Sequence, residues 1–302
     1  MYHLQKSIEQ IKNDNQSGSS EILHQILQVI RLYLKDTDED PASVRKVVNE
    51  ALKELLASFG TMSVLFHFVN HLFLAMDHAD KHLTLNQYLL GVIRDYEMAW
   101  GDAPQRLAHN AYKTIDFQQK TVLVHSNSSA LGHLFSYLKK QQVSVDIIQT
   151  ESRPAYEGRV LAIQLADLGY QVKLITDANI SRYMDQVDMA IVGADSISED
   201  CFINKTGTQL IALACQHFKI PFYVLSDSRK LIPQSVHFPF EEAPKSGKEI
   251  LEEPHPNIEA ENYYFEEIPN TLVTSFILED RILQGTEISN LLQHTQVSAQ
   301  LV

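Results

Sequence analysis

The chain has 302 residues, long enough for two domains, and its hydrophobic fraction of 44% is ordinary for a globular protein. Its formal net charge of −13 argues against a broad nucleic-acid interface, which needs clustered lysine and arginine, but is compatible with a local basic pocket. Two cysteines are too few for a disulfide framework or a zinc site. The N-terminus is not typical of a signal peptide, and no apolar run reaches the roughly 18 residues of a membrane span. We therefore expect a cytoplasmic protein without metal, membrane contact or direct nucleic-acid partner.

The first third of the chain has the periodicity of amphipathic helices. Apolar residues recur at helical spacing from Ile22 to Leu34, and again after Pro41. Pro41 suits the first turn of a helix, where an N–H has no intrahelical partner. The pattern predicts helices over residues 22–34, 41–56, 62–76, 83–100 and 103–115. It indicates a helical region that extends to about residue 116.

After residue 116, short apolar runs alternate with longer segments of helical periodicity. The predicted strands are 121–124, 143–148, 172–175, 189–192 and 222–225, with a last strand at 272–277. The predicted helices between them are 130–140, 156–168 and 207–218, and a short helix precedes residue 189. Such alternation favours an α/β domain with a mostly parallel sheet and right-handed crossovers. Residues 231–262, rich in proline and acids, are predicted to be irregular.

The stretch from Val187 to Thr208 carries the first candidate site residues. Asp195 follows a short apolar strand, and a predicted loop brings Asn204 and Lys205 to the start of a helix. Ligands of open α/β sheets bind outside the carboxyl ends of the strands, and a helix N-terminus offers unpaired N–H groups to an anion. The stretch therefore predicts a site for a small phosphorylated molecule. The simpler alternative is that Asp195 caps a turn and Lys205 is solvated.

Polar residues also follow the other predicted strands. By strand they are His125 to Ser129, Glu151 and Arg153, Asp177 and Asn179, Asp195, and Ser228 and Lys230. The ends of parallel strands share one edge of the sheet, so these groups are expected to lie together. An ion pair between Glu151 and Arg153 is the simpler alternative for those two residues. The glycine-rich fingerprints of dinucleotide and P-loop sites are absent, so no cofactor is expected.

Five motifs in this half resemble one protein family. They are Glu151-Ser152-Arg153-Pro154 with Glu157-Gly158-Arg159, Leu174-Ile175-Thr176-Asp177, Val192-Gly193-Ala194-Asp195, Asn204-Lys205-Thr206-Gly207-Thr208 and Pro221-Phe222-Tyr223-Val224. The family contains the α, β and δ subunits of translation initiation factor 2B together with methylthioribose-1-phosphate isomerase and ribose-1,5-bisphosphate isomerase. The resemblance covers about residues 120–302, and the helical first third also suits the family.

The resemblance implies a helical domain, residues 1–118, followed by a Rossmann-like, mostly parallel sheet domain, residues 119–302. It implies dimerisation through the second domain, as a homodimer or with related subunits. In the isomerases, the aspartate that matches Asp195 acts with a cysteine in an aldose–ketose conversion. The pair that matches Asn204 and Lys205 binds the ligand. With the other strand-end residues, the candidate ligand-binding set is Asn204, Lys205, Glu151, Arg153, Glu157, Arg159 and Lys230.

The sequence departs from the isomerases at three points. Ser126 takes the place of the family cysteine, and a serine hydroxyl is less acidic than a thiol and needs an adjacent base. His125 is the neighbouring candidate for that base. Glu157 replaces a glutamine, and its charge would repel a phosphate unless a cation lies between them. The isomerases' Arg-Gly-Ala-Pro signature has no counterpart in the first third.

Two functions follow from this comparison. The first is a regulatory, non-catalytic protein that resembles initiation factor 2B and binds a phosphorylated sugar or nucleotide; the missing cysteine favours it. The second is an aldose–ketose isomerase for a ribose-1-phosphate-type substrate, either ribose 1,5-bisphosphate or methylthioribose 1-phosphate; the retained Asp195, Asn204 and Lys205 favour it. A purely structural subunit with an empty pocket is a third alternative, which leaves the polar strand ends unexplained.

Overall fold

The computed structural model describes residues 2–13, 19–59, 62–79, 84–233, 235, 236, 242 and 244–302. It divides the chain into two compact units. The first unit contains the described parts of Met1–Asp102, Arg229–Pro239 and Gln293–Val302, and the second contains those of Ala103–Ser228 and Phe240–Leu292. Each unit is described by itself below.

The first unit is built from helices around one apolar core. They are α1 (Tyr2–Lys12), α2 (Ser19–Asp36), α3 (Pro41–Ser58), α4 (Ser63–Asp77) and α5 (Leu85–Gly101). Helix α3 begins at Pro41 as predicted, because the Asp40 carboxylate accepts hydrogen bonds from the amides of Ala42 and Ser43. Helix α4 supplies the centre of the core, where Phe68 and Phe73 are fully buried. In the part of the chain that the structure describes, no helix is long and apolar enough to cross a membrane.

The end of the chain returns to this helical unit. The side-chain amide of Asn70 donates to the carbonyl of Gln296 at 2.9 Å and accepts from the amide of Ser298 at 2.9 Å. Asn70 is buried in α4, and these two bonds give a partner to its side-chain nitrogen and to its side-chain oxygen. The sequence predicts the helix but does not predict this partner, because it lies more than 220 residues away.

The second unit alternates helices and strands. Its helices are α6 (Ala103–Thr114), α7 (Ser129–Lys140), α8 (Glu157–Asp167), α9 (Ile180–Tyr183), α10 (Thr208–Phe218) and α11 (Ile288–Gln293). Its strands are β1 (Lys120–Val124), β2 (Val145–Thr150), β3 (Gln171–Ile175), β4 (Met189–Val192), β5 (Ser196–Ile197), β6 (Cys201–Lys205), β7 (Phe222–Leu225), β8 (Phe265–Pro269), β9 (Ser275–Ile277) and β10 (Ile282–Leu283). Helix α6 packs on α7 and therefore belongs to this unit, although it lies before residue 118. The predicted domain boundary at residue 118 stays a prediction.

Seven strands form one twisted sheet in the order β10-β9-β7-β4-β1-β2-β3. All neighbours pair in parallel except β10, which runs antiparallel to β9. The central strand β1 is buried from Val122 to Val124, as its run of β-branched and aliphatic residues requires. The predicted α/β fold with a mostly parallel sheet is confirmed. The last predicted strand is shorter than expected, and β10 follows it, so it is not the last.

A second, three-stranded antiparallel sheet in the order β5-β6-β8 corrects the sequence prediction. The segment that delivers Asn204 and Lys205 is strand β6 and not a loop. Its residues Phe202 to Lys205 are buried, and Lys205 pairs with Phe265 of β8. The sequence pattern does not predict β6 because strand patterning expects polar residues on a solvated face, and the polar pair at the end of β6 is buried.

We expect Phe202→Ala to lower the free energy of unfolding by about 3–5 kcal/mol. Phe202 is fully buried, and its ring lies edge-on to Phe276 with centroids 5.8 Å apart, so truncation leaves a cavity between the two sheets' strands. Urea unfolding followed by circular dichroism measures the change. The control Leu210→Ala removes a side chain that is 68% exposed and is expected to change stability by less than about 0.5 kcal/mol. Equal effects of the two substitutions would contradict this packing.

Candidate functional site

The parallel register brings the carboxyl ends of the central strands to one edge of the sheet. Val124 of β1 lies opposite Gln149 of β2 on one side and Ile191 of β4 on the other. The residues that follow these positions therefore emerge next to one another. The candidate site is built from these segments, from the end of β6 and from the start of α8.

His125, which follows β1, is fully buried and has both ring nitrogens engaged. Nδ1 lies 2.6 Å from Thr150 Oγ1, and Nε2 lies 3.0 Å from the carbonyl oxygen of Thr206. The carbonyl can only accept, so Nε2 carries the proton and Nδ1 accepts from the threonine hydroxyl. Burial lowers the pKa of His125 and keeps the ring neutral. His125 is thus a structural link between β1, β2 and the turn before α10. Its engaged nitrogens argue against its acting as a base for Ser126, a role that stays a prediction.

Ser126 lies in a turn held by Ser152 and Asp177. The amide of Ser126 donates to Ser152 Oγ at 2.8 Å, and both serines have left-handed backbones, with φ of 67° and 62°. The Asp177 carboxylate accepts from the amides of Ser152 (2.9 Å) and Arg153 (2.7 Å). These contacts hold non-glycine residues in a conformation that is costly for them. Asp177 therefore shapes the β2–α8 turn.

Lys205 is the buried cation of the site. Its Nζ lies 2.8 Å from Glu157 Oε1 and 4.4 Å from the centre of the Tyr264 ring. The Lys205 side chain is 2% exposed and that of Glu157 is 27% exposed. Among the described residues, neither Lys205 Nζ nor Glu157 Oε2 has a partner with hydrogen-bond geometry. The structure thus brings together two predicted site residues as a close ion pair whose bonding capacity is only partly used.

Asn204, the other member of the predicted pair, faces the protein interior. Its Nδ2 donates to Thr208 Oγ1 at 2.9 Å, and the Thr208 hydroxyl donates to the carbonyl of Lys205 at 2.5 Å. Asn204 is 5% exposed. In this state, the asparagine organises the link between β6 and α10.

Two of the amides expected to be open to an anion at the start of α10 are already bonded within the protein. The Glu266 carboxylate of β8 accepts from the amides of Gly207 (2.9 Å) and Gln209 (2.8 Å). A carboxylate at this position also complements the positive end of the helix dipole. Sequence reasoning missed Glu266 because its partners lie nearly 60 residues earlier in the chain.

Arg153, Tyr156 and Arg159 form a cluster at the start of α8. Arg153 donates to the Tyr156 hydroxyl and to the carbonyl of Glu249, the latter at 3.0 Å. Arg159 lies over the Tyr156 ring at 3.7 Å and pairs with Glu151 at 2.6 Å. The alternative of a Glu151–Arg153 ion pair is therefore wrong, since Glu151 pairs with Arg159.

Tyr264 and Glu249 were not predicted from the sequence. The Tyr264 hydroxyl donates to Glu249 Oε1 at 2.6 Å, and Asn262 Nδ2 donates to the other carboxylate oxygen at 2.9 Å. These bonds lower the pKa of Glu249, and the nearby charges of Lys205 and Arg153 lower it further. The same hydrogen bond to the carboxylate raises the pKa of Tyr264 to about 12. The aromatic run beginning at Tyr263, after the acidic segment, is the signal that could have suggested a contact.

Asp195 and Lys230 complete the predicted set. The amide of Asp195 donates to the carbonyl of Ile203 at 2.8 Å, which places Asp195 between β4 and β6. Lys230 belongs to the helical unit, where its Nζ donates to Ser19 Oγ at 3.3 Å. The functional roles of Asp195, Ser126, Lys230 and the other site residues stay predictions. In the described part of the chain, no three histidine, cysteine or acidic side chains are grouped to hold a metal ion.

The mostly parallel seven-stranded sheet with intervening helices defines an α/β protein, a class in which ligands bind at the carboxyl ends of the strands. The model of the initiation factor 2 subunit family (IF-2B) matches residues 15–284. The chain belongs to this family.

Two relatives illustrate the range of the family. An eIF-2B subunit 2-like translation initiation factor of Pyrococcus furiosus is 29% identical over 226 residues, which is 74% of this chain and 78% of that protein. The ribose 1,5-bisphosphate isomerase of Archaeoglobus fulgidus is 37% identical over 117 residues, 38% of this chain and 37% of the enzyme. The alignment to the isomerase thus spans little more than a third of its length.

Solved structures of the same fold come from factors and from an enzyme. Pyrococcus horikoshii eIF-2B superposes with a TM-score of 0.76 (24% identity; 93% of this chain and 96% of that chain). The 5-methylthioribose 1-phosphate isomerase of that organism gives 0.75 (21%; 96% and 87%). A chain of the tetrameric eIF2B-beta2-delta2 complex of C. thermophilum gives 0.71 (17%; 95% and 92%). At these identities the likeness concerns the fold alone.

We expect Gly158→Ala to destabilise the protein by at least about 2 kcal/mol. A Cβ at Gly158 would lie 2.0 Å from the carbonyl oxygen of Thr150, so α8 would have to move away from β2. The matched control is Gly132→Ala in α7, where a Cβ meets no atom within 4 Å. That control is expected to stabilise by roughly 0.5–1 kcal/mol through helix propensity. Urea unfolding of both variants tests the close approach of α8 to β2. A Gly158→Ala protein as stable as wild type would contradict it.

Proposed function

We propose that this chain binds a phosphorylated sugar or nucleotide at the strand-end site and acts as a regulatory, non-catalytic member of its family. The observation that carries the proposal is the state of His125 beside Ser126. A serine in place of the family cysteine needs a base to become reactive, and the adjacent imidazole is buried with both nitrogens engaged. The cation of Lys205 supports the binding part, since an ammonium group donates charge-assisted hydrogen bonds to phosphate.

An isomerase is the second candidate, and the retention of Asp195 with Asn204 and Lys205 favours it. The similarity to the ribose 1,5-bisphosphate isomerase of Archaeoglobus fulgidus extends over 117 residues, which is 37% of that enzyme's length. Isomerisation requires a proton to move between two neighbouring carbons, and hence an acid and a base on either side of them. In this alternative Asp195 and Ser126 would supply those groups.

The partners and location are part of the same proposal. We propose a homodimer or an assembly with related subunits in the cytoplasm, with a phosphorylated small molecule as ligand. A structural neighbour from a tetrameric eIF2B-beta2-delta2 complex supports assembly with related chains. Sedimentation of the purified chain would measure its oligomeric state.

A direct assay separates the two candidates. The protein is mixed with ribose 1,5-bisphosphate or methylthioribose 1-phosphate and followed by proton and phosphorus NMR, with a thermal unfolding curve recorded on the same samples. We expect a rise in Tm without conversion, because the ligand binds only the folded state. Formation of a ketose phosphate that is lost in Asp195→Asn would establish the isomerase instead.

We expect Lys205→Met to weaken the binding of ribose 5-phosphate by about tenfold or more, because it removes the buried cation and leaves the Glu157 carboxylate. Calorimetry measures the affinity, and circular dichroism checks that the variant is folded. Lys140→Met, at the exposed end of α7, removes a charge of the same sign and should bind as the wild type does. Unchanged affinity in Lys205→Met would remove Lys205 from the binding site.

A further inference from the structure

The Lys205–Glu157 pair joins a buried ammonium group to a partly exposed side chain. Lys205 is almost completely buried, whereas more than a quarter of the Glu157 side chain is exposed. Glu157 is the first residue of α8, whereas Lys205 is the last residue of β6, so the pair links two separate elements. Glu157 is therefore the partly exposed member of the pair, and its carboxylate occupies a position beside the buried ammonium group.

The pair uses only part of its bonding capacity. Lys205 Nζ has three N–H donors and lies close to one oxygen, without hydrogen-bond geometry to any described residue. Glu157 Oε2 is buried and likewise has no partner among the described residues. Burying polar groups without hydrogen-bond partners costs free energy, so the pair could be stabilised by further hydrogen bonds. A phosphate group carries several acceptor oxygens and would satisfy the ammonium group more fully.

Other groups around the pair have contacts of their own. His125 is neutral, and the Tyr264 ring covers one side of Nζ. Behind Tyr264 stands a second carboxylate, Glu249, whose pKa is lowered first by its hydrogen bond from Tyr264 and also by Lys205. The guanidinium of Arg153 is engaged by Tyr156 and by the carbonyl of Glu249. Lys205 is thus a buried cation with the carboxylates of both Glu157 and Glu249 near it.

We infer that Glu157 is an internal anion that competes with phosphate for Lys205, so that a phosphorylated ligand binds only in exchange for this carboxylate. The inference rests on the proposed function, because it concerns the affinity of the same site. It makes Glu157 the residue that sets how strongly the site discriminates between phosphorylated and unphosphorylated ligands. The exchange breaks the Lys205–Glu157 ion pair and replaces it with a contact between Lys205 and the phosphate.

The test compares Glu157→Gln with wild type and with the control Asp167→Asn. Glutamine keeps the size and the acceptor oxygen of Glu157 but removes its charge, and Asp167 is an exposed acid at the other end of α8. Calorimetric titration uses ribose 5-phosphate and, separately, ribose. We expect Glu157→Gln to bind ribose 5-phosphate at least about tenfold more tightly than wild type, with ribose binding changed by less than about twofold. Asp167→Asn should bind both as wild type does.

The outcomes distinguish failure of the inference about Glu157 from failure of the proposed function. Equal or weaker binding of ribose 5-phosphate by Glu157→Gln, with clear binding by wild type, overturns the inference and leaves the proposed function intact. An equal gain in Asp167→Asn also overturns it, because the effect would then come from net charge. Absence of binding by all three proteins overturns the proposed function and the inference with it.

Thermal unfolding gives a second measurement if Glu157→Gln is destabilised by the unpaired lysine. Inorganic phosphate at about 10 mM should raise the Tm of Glu157→Gln more than that of wild type, since phosphate takes the place of the lost carboxylate. A variant that folds only when phosphate is added gives the same supporting result. A variant whose stability does not respond to phosphate overturns the inference.

Discussion

The parallel pairing of β1 with β2 on one side and β4 on the other is the constraint on which the site depends. It places the residues after Val124, Gln149 and Ile191 at the same level of the sheet. Side chains from three separate stretches of sequence can then bond to one another, as His125 does with Thr150. Because the three strands are buried, a shift in their register would expose core residues, and the position of the site is fixed by the same burial that stabilises the sheet.

Much of this arrangement can be predicted from the sequence because it depends on local patterns. The periodicities of strands and helices predict the parallel sheet, and the polar residues at the strand ends predict where its functional edge lies. Strand β6 escapes prediction because Asn204 and Lys205 are polar and buried. Its partner β8 begins at Phe265, so the pairing that makes it a strand is not visible in its own neighbourhood.

The contacts of individual site residues are predicted least well. Sequence reasoning treats every polar residue at a strand end as available to a ligand, yet most of these residues bond within the protein. Asp177 binds two amides of the β2–α8 turn, and Glu266 binds two amides at the start of α10. Such bonds are required because buried polar groups need partners whether or not a ligand is present. The choice between these internal partners and a ligand depends on distances that the sequence does not contain.

The internal bonds of the site residues bear on what the family motif can indicate about chemistry. The Asn204-Lys205-Thr206-Gly207-Thr208 motif serves structural needs here, since Asn204 and Thr208 link β6 to α10. Those needs keep the motif in place even if the reaction is lost, so its presence alone does not argue for catalysis. Ser126 and Glu157 are two of the positions at which the sequence is expected to depart from the isomerases. At Glu157, the departure puts a carboxylate against the buried lysine and so alters the electrostatics of the pocket while the surrounding backbone bonds are preserved.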